Sequence, residues 1–167
     1  MINAMPAGRQ DKSKRTLSSE TPEIIGQKVI LKGWVKTRRD HGKLIFLDLR
    51  DRSGIVQLVV NPKVSQSAYK KAEELKPEYV IKVQGSVKQR PTATINKELE
   101  TGSVEIEIEN IEIISKAQTL PFDMGEEKLN LELPTLLDNR SLSLRHPKVS
   151  AIFKIQQTIV ESFRKTL

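Results

Sequence analysis

The chain has 167 residues, enough for one moderate domain with a real core and part of a second. It contains no cysteine, which excludes disulfides and thiolate zinc sites, and His41 and His146 lack metal-ligand spacing. The formal charge of +7 and the pI near 9.6 favour a polyanionic partner. No apolar run could span a bilayer or serve as a secretory signal, so we expect a soluble, cytoplasmic protein without a metal.

Residues 1–22 form the polar start of the chain and contain few apolar residues. Their basic residues include Arg9, Lys12, Lys14 and Arg15. We interpret this segment as a flexible basic arm that adds nonspecific electrostatic attraction. The alternative is a disordered tail without a function.

Strand periodicity begins at Gln27, where apolar and basic residues alternate. Gly33 inside the run predicts a bend or bulge of the kind that lets a sheet coil into a small barrel. One face of this first strand is apolar and the other is mainly basic: Val29, Leu31 and Val35 against Lys28, Ile30, Lys32, Trp34 and Lys36. Turn-forming residues at 40–43 and 51–54 then connect it to two further strands.

Two runs, 44–50 and 55–60, alternate as strands do. Each has, on the face away from the core, one residue that is unusual for a strand that only faces solvent. Phe46 alternates with three aliphatic core residues and therefore stands among charged groups, and Gln57 is the one polar side chain of its run. A ring that stacks, an amide that hydrogen-bonds and the Arg38–Arg39 pair that holds phosphate suit a flipped-out nucleobase. The alternative is that Phe46 packs under a loop and Gln57 is merely solvated.

The remaining pattern completes a barrel. A helix is predicted over 64–76, a fourth strand over 79–87, a polar loop over 89–102 and a fifth strand over 103–113. The alternating glutamates of the fifth strand indicate a solvated face that protects a sheet edge. The order predicts a mainly β fold, a five-stranded OB-fold barrel with a helix between strands 3 and 4. In that fold the strand 2–3 face binds oligonucleotides, so the fold and site predictions agree.

A hinge and a C-terminal helix are predicted to follow the barrel. Apolar residues recur at helical spacing near the end of the chain: Val149, Ile152, Phe153, Ile155, Ile159, Val160 and Phe163. Because nothing obvious is left for them to cover, we interpret this helix as the start of a truncated second domain. The predicted boundaries are 1–22 for the arm, 23–115 for the OB-fold domain, 116–147 for the hinge and 148–167 for the helix.

Nine short segments match a known family pattern. They are GWV at 33–35, RRDHG at 38–42, LIFLDLRD at 44–51, GIVQ at 54–57, RP at 90–91, TIN at 94–96, TG at 101–102, LPF at 120–122 and LSLRHP at 142–147. Together they closely resemble the anticodon-binding domain of class II aspartyl-tRNA synthetases, over about residues 17–167. The resemblance implies an aspartate–tRNA ligase that binds tRNA-Asp, with ATP and Mg²⁺ and a homodimer implied for the complete enzyme.

The resemblance also implies a role for individual residues. The central uridine of a splayed anticodon would stack on Phe46, and the amide of Gln57 would hydrogen-bond its Watson–Crick edge. Arg39 would contact the third base or its backbone, while Asn96 and Glu98 of the 89–102 loop would approach the first base. From their charge, the RNA backbone contacts are expected at Lys32 and Lys36.

His41 bears on which tRNA is accepted. A histidine after the Arg-Arg-Asp segment resembles the non-discriminating enzymes of this family, in which a small residue, here Ala93, accompanies it in the 4–5 loop. The anticodons of tRNA-Asp and tRNA-Asn differ only at the third base, so a relaxed contact there would admit both. The alternative is that a histidine is simply tolerated in this hairpin turn.

Two departures from the family pattern limit what it implies. Ser143 and His146 replace the acidic and arginine residues that are more usual in the hinge segment. The chain also lacks the later class II motifs, so no catalytic residue is assigned and the chain alone is expected to be inactive. Two other functions stay open: a freestanding OB-fold module that binds single-stranded nucleic acid, and a protein-interaction barrel.

Overall fold

The computed structural model describes residues 15–124 and 129–167, which fall into two compact units that divide between Gln118 and Thr119. The first unit contains all five strands. Most of the predicted basic arm, residues 1–14, lies outside the described residues. Among the helices that are described, none combines the length and the apolar character needed to cross a membrane.

Five strands close into a barrel in the first unit. They are β1 (Lys28–His41), β2 (Leu44–Arg50), β3 (Ile55–Val60), β4 (Val80–Gln89) and β5 (Val104–Ser115). Their order around the barrel is β1-β2-β3-β5-β4, with β3 and β5 parallel and the other neighbours antiparallel. Helix α1 (Gln66–Glu73) connects β3 to β4. This confirms the predicted five-stranded OB-fold barrel with a helix between strands 3 and 4.

The inward faces of the strands form the core. Ile45, Leu47 and Leu49, which the alternation of β2 assigns to one face, are each at most 1% exposed. Burying an aliphatic side chain of this size contributes about 1.5–3 kcal/mol. Ala68 and Ala72 of α1 belong to the same apolar cluster. The core prediction for these strands is therefore confirmed.

Helix α1 is shorter than the 64–76 range that the apolar spacing predicts. Its N-cap is Ser65, whose side chain accepts a hydrogen bond of 3.2 Å from the backbone N–H of Ala68. A serine side chain at this position satisfies a helical N–H that has no partner inside the helix. The helix therefore begins after the Ser65 cap, later than the apolar pattern alone predicts.

Gly33 lies where β1 changes its partner strand. The first half of β1 pairs with β4 and the second half with β2, and Trp34 is opposite both Val80 and Arg50. A Cβ on Gly33 would stand 2.3 Å from the carbonyl oxygen of Arg50, closer than a side chain can approach. The absence of a side chain thus lets β1 cross between the two neighbours and close the barrel.

A β-bulge in β1 reverses the alternation of its side chains. The register shifts between Val35 and Thr37, which leaves Lys36 as the extra residue. Beyond the bulge, Arg38 is opposite Leu47, a core residue, so even-numbered positions take the inner side. The odd-numbered positions from Thr37 onward then face outward. The sequence predicts a bend at Gly33 but does not reveal this second irregularity.

The outer face of β5 does not protect a free edge as predicted, since β5 pairs with both β3 and β4. Its glutamates instead form ion pairs with lysines of β1 and β4: Lys28–Glu109 at 2.8 Å, Lys82–Glu112 at 2.9 Å and Lys88–Glu107 at 3.8 Å. Parallel pairing with β3 joins strands that are far apart in sequence. Alternation within one strand carries no information about such a partner.

The segment before β1 packs on the barrel, in contrast to the flexible arm predicted up to residue 22. Ser18–Ile24 form a 3-10 helix in which Ser18 and Thr21 are buried. The backbone N–H of Ser18 donates a 2.9 Å hydrogen bond to the carboxylate of Asp51, 33 residues later. This long-range partner orders a polar segment that composition alone assigns to a flexible chain.

Within its described residues, the second unit contains three helices, α2 (Leu133–Asp138), α3 (Arg140–Ser143) and α4 (Pro147–Thr166). The range predicted as a hinge, 116–147, therefore includes two short helices. Helix α4 matches the C-terminal helix expected over 148–167, and none of its residues is buried.

Asp51 generates a prediction about stability. Burial would raise the pKa of its carboxyl, but hydrogen bonds donated by Ser53 and Ser18 outweigh burial and hold the pKa below its ordinary value. A lowered folded-state pKa stabilises the fold at pH values above the unfolded pKa of about 3.9. That contribution is lost as the pH falls through the lowered folded value.

We expect Asp51→Asn to lower the free energy of unfolding at pH 7 by about 1–3 kcal/mol, because one of the two acceptor oxygens becomes an NH2 group and a donor that it served loses its acceptor. Urea unfolding of both proteins should show this difference shrinking as the pH falls below about 4. A difference that is the same at pH 7 and at pH 3 would contradict the role assigned to the carboxylate.

Candidate nucleic-acid interface

The outer face of β1, β2 and β3 gathers polar and aromatic residues into one cluster. Phe46 lies opposite Arg39 of β1, and Asp48 lies between Thr37 of β1 and Gln57 of β3. Directly opposed residues in antiparallel strands have Cβ atoms about 4.5–5.5 Å apart. We call these five residues the Phe46 face. The bulge in β1 brings Thr37 and Arg39 to it.

The ring of Phe46 is half-buried and is contacted at one side by His41. The two ring centroids are 6.0 Å apart and the ring planes meet at 86°, an edge-to-face arrangement. Such pairs contribute about 0.5–1.5 kcal/mol beyond the area that they bury. His41 therefore fixes the orientation of the ring while part of the ring stays accessible. Phe46 does not belong to the buried core cluster of the barrel.

The side-chain amide of Gln57 is half-buried and has no hydrogen-bond partner in residues 15–124 and 129–167. An amide offers a carbonyl acceptor and two N–H donors. Its oxygen and nitrogen are accessible to solvent, since neither is among the buried polar atoms that lack a partner. On this face the amide is available to a ligand that presents a donor and an acceptor side by side.

Arg39 and Asp48 form an ion pair on the same face. One terminal nitrogen of Arg39 donates to both carboxylate oxygens of Asp48, at 2.9 and 3.1 Å. The hydroxyl of Thr37 donates a short hydrogen bond to the same carboxylate. The side chain of Arg39 is 55% exposed and that of Asp48 only 17%. The guanidinium thus projects toward solvent from a carboxylate held close to the sheet.

Arg38 does not share the Phe46 face. Its terminal nitrogen donates to both oxygens of Asp40, at 2.9 and 2.8 Å, and its position in β1 is opposite the core residue Leu47. The Arg38–Arg39 pair that the sequence presents as a unit is divided between the two sides of the strand. Adjacent residues of a strand point in opposite directions, and the bulge decides which of the two points outward.

The two lysines predicted to contact the RNA backbone lie elsewhere on β1. Lys36 is the bulge residue and is half-buried, and Lys32 is exposed. Lys32 lies opposite Lys82, in the half of β1 that pairs with β4. The structure therefore places Lys32 beside the Phe46 face along β1 rather than within it.

The loop between β4 and β5 contains the predicted residues Asn96 and Glu98. The side-chain oxygen of Asn96 accepts a 2.9 Å hydrogen bond from the backbone N–H of Glu98, and Gly102 packs against the Asn96 carbonyl too closely for any side chain. The hydroxyl of Thr101 donates to the Ile55 carbonyl, which ties the loop to β3. Within the described part of the chain, no hydrogen bond joins Asn96 or Glu98 to the Phe46 face.

Arg90 is a buried cation at the base of this loop and is not among the site residues predicted from the sequence. Its guanidinium donates to the carbonyls of Val104 and Thr94, at 3.0 and 3.3 Å. Burial lowers the pKa of the Arg90 guanidinium, and the charges of Glu105 and Asp48 oppose that shift. Arg90 therefore lies within electrostatic reach of the Phe46 face. A charged residue just before a proline, at the end of a strand, is the signal that could have identified it.

Comparison with known proteins identifies related domains. The family model described as an OB-fold nucleic acid binding domain, of the tRNA anticodon type, matches residues 29–114. Aspartate–tRNA ligase from Staphylococcus aureus (strain Newman) is 45% identical over 157 residues, which covers 93% of this chain and 27% of that protein. The chain thus spans about a quarter of the length of the curated relatives that it matches.

Two solved structures are similar over most of the chain. Asparaginyl-tRNA synthetase from Pyrococcus horikoshii, complexed with asparaginyl-adenylate, has a TM-score of 0.74 and 34% identity, covering 93% of this chain and 34% of its own. Aspartyl tRNA synthetase from Entamoeba histolytica has a TM-score of 0.78 and 22% identity, covering 99% and 40%. At that lower identity, the second structure supports the fold alone.

We expect Arg90→Lys to loosen the β4–β5 loop and leave the barrel folded, because an ammonium cannot span two carbonyls as a planar guanidinium does. Hydrogen exchange at the amides of Asn96 and Gly102 should accelerate roughly tenfold, equivalent to about 1.4 kcal/mol. Arg52→Lys, at an exposed turn position, is the matched control and should change neither amide. Acceleration at the β2 core amides as well would mean that Arg90 supports the whole barrel.

Proposed function

We propose that this chain, which belongs to the tRNA anticodon family of OB-fold nucleic acid binding domains, recognises a tRNA anticodon on the Phe46 face. One observation carries the proposal. The partly accessible ring of Phe46 and the amide of Gln57, which has no hydrogen-bond partner in the described residues, lie on the same face of neighbouring strands. A nucleobase presents the matching combination, a flat apolar surface and a polar edge.

Recognition would take place on an anticodon whose bases are unstacked from one another. The central uridine stacks on Phe46, a contact worth about 1–3 kcal/mol for a base on an aromatic side chain. The amide of Gln57 then accepts from the N3–H of the uracil and donates to its neighbouring carbonyl. The edge contact from His41 supports the ring in the orientation that stacking requires.

The remaining residues would act around this central contact. Arg39 contacts the third base or its backbone, since its guanidinium projects from the Phe46 face. The β4–β5 loop brings Asn96 and Glu98 toward the first base. Lys32 and Lys36 attract the RNA backbone without regard to sequence. Arg38, which donates to both oxygens of Asp40, would hold a phosphate of the anticodon backbone.

The relatives support a proposal for the reaction of the complete protein. We infer a complete, cytoplasmic protein that joins aspartate to tRNA-Asp, with tRNA-Asn as a second substrate, that uses ATP and Mg²⁺ and that forms a homodimer. The 45% identity to an aspartate–tRNA ligase supports this inference. The chain spans 27% of that relative, so the ligase reaction is proposed for the complete protein and anticodon recognition for these 167 residues.

Binding of the chain to an RNA stem-loop with the Asp anticodon tests the proposal. Replacing the central uridine should weaken binding by at least about 1 kcal/mol, and Phe46→Ala should cause a similar loss with the fold intact. Fluorescence anisotropy at fixed salt measures both affinities. Lys32→Ala is the control, because it should weaken binding to every RNA alike and reduce the salt dependence.

Other results would favour the other functions. Equal affinity for the two stem-loops would support a module that binds single-stranded nucleic acid without recognising an anticodon. No binding to either at low salt would support a protein-interaction barrel. Unfolding of the Phe46→Ala variant would show that the ring contributes to the core.

We expect His41→Leu to reduce binding of an Asn-anticodon stem-loop relative to the Asp stem-loop by about 1 kcal/mol, the scale of one hydrogen bond. The two RNAs differ only at the third base, so their affinity ratio isolates that contact. An unchanged ratio would assign His41 to support of the Phe46 ring alone. Phe46→Ala should lower both affinities and leave the ratio unchanged.

A further inference from the structure

A carboxylate lies at the centre of the Phe46 face. Asp48 is opposite Gln57 on one side and opposite Thr37 on the other. A negative charge at a surface that receives RNA repels phosphates and weakens binding. We therefore expect the carboxylate of Asp48 to have a function that offsets this repulsion.

The contacts of Asp48 indicate what that function is. Its side chain is 17% exposed, and its oxygens accept hydrogen bonds from Arg39 and Thr37. The carboxylate is thus directed to the protein rather than toward an incoming base. Because a threonine hydroxyl of the neighbouring strand holds it, its own position is well defined.

The geometry of the ion pair leaves most of the arginine available. Both hydrogen bonds to Asp48 come from a single terminal nitrogen of Arg39. Among the described residues, the other two guanidinium nitrogens donate to no protein group. Those nitrogens belong to a side chain that is 55% exposed beside the Phe46 ring.

We propose that Asp48 is a positioning residue for anticodon recognition, which holds Arg39 ready so that its remaining donors meet the RNA in one orientation. The proposal rests on the function proposed above. A free arginine loses rotamer entropy when it is fixed in a complex. An arginine that is already held in the unbound protein loses less, and this difference favours the RNA that matches its orientation.

Two effects of opposite sign follow for Asp48→Asn. Loss of a negative charge raises the affinity for any RNA, whereas loss of the ion pair releases Arg39 and lowers the preference for the matching anticodon. A carboxylate that only repelled phosphate would change all affinities alike. A carboxylate that only supported the fold would change the stability and leave the preference intact.

The experiment measures binding of the 167-residue chain to the Asp-anticodon stem-loop and to a stem-loop with an unrelated loop sequence. We expect Asp48→Asn to lower the affinity ratio of matched to unrelated RNA about fivefold to tenfold, with an increased affinity for the unrelated RNA. Arg39→Gln should lower the ratio similarly. Adding Asp48→Asn to Arg39→Gln should lower it no further, because Asp48 acts through Arg39.

Two further variants complete the design. Glu109→Gln removes a negative charge from the outer face of β5, where Glu109 pairs with Lys28, and should leave the ratio unchanged. Thr37→Val removes the hydroxyl bond to Asp48 without a change in charge. It should lower the ratio about twofold without an increased affinity for the unrelated RNA, and it provides the test if Asp48→Asn does not fold.

The outcomes separate this proposal from the one on which it rests. A wild-type chain that binds both RNAs equally would overturn anticodon recognition itself. The wild-type chain could instead prefer the matched RNA while Asp48→Asn and Thr37→Val leave the affinity ratio unchanged. That result would overturn the role of Asp48 and leave anticodon recognition intact. A loss that persists in full in the Arg39→Gln background would show that Asp48 does not act through Arg39.

Discussion

The register shift in β1 is the constraint on which the Phe46 face depends. One extra residue, Lys36, moves Thr37 and Arg39 to the outer side of the strand, where they meet Asp48 and Phe46 of β2. If Lys36 instead continued the regular alternation from the inward-facing Val35, with no bulge, Arg38 would point outward and Arg39 toward the core. A bulge is a local disruption of the ladder that rotates every later side chain of the strand, so a single irregularity determines the composition of the surface.

The face combines groups held by the protein with groups left unpaired. Asp48 holds one terminal nitrogen of Arg39, and His41 contacts the ring of Phe46. The amide of Gln57, by contrast, meets no hydrogen-bond partner within the described residues. Rigid neighbours around an unsatisfied polar group lower the conformational entropy lost on binding. Arg90 extends this principle to the β4–β5 loop, since its buried guanidinium fixes backbone carbonyls at the border of the same face.

Much of this could be predicted from the amino-acid sequence. Strict alternation in β2 identified the core face and placed Phe46 on the outer face, because side-chain direction in a regular strand depends only on position. The order of strands and helix indicated the barrel, and the segments around Phe46 and Gln57 indicated the family. These features depend on local periodicity and on short motifs, both of which can be read directly from a sequence. Most of the core, and the positions of Phe46 and Gln57 on the outer face, could therefore be predicted from the sequence.

Other features were decided only by contacts between residues far apart in sequence. The 3-10 segment at Ser18 is ordered by a carboxylate 33 residues later, and the parallel pairing of β3 with β5 has no local signature. The separation of Arg38 from Arg39 likewise depends on how β1 registers against β2. Periodicity determined which residues could form the barrel and its face. Cross-strand pairing, which a linear pattern does not contain, decided which of them meet.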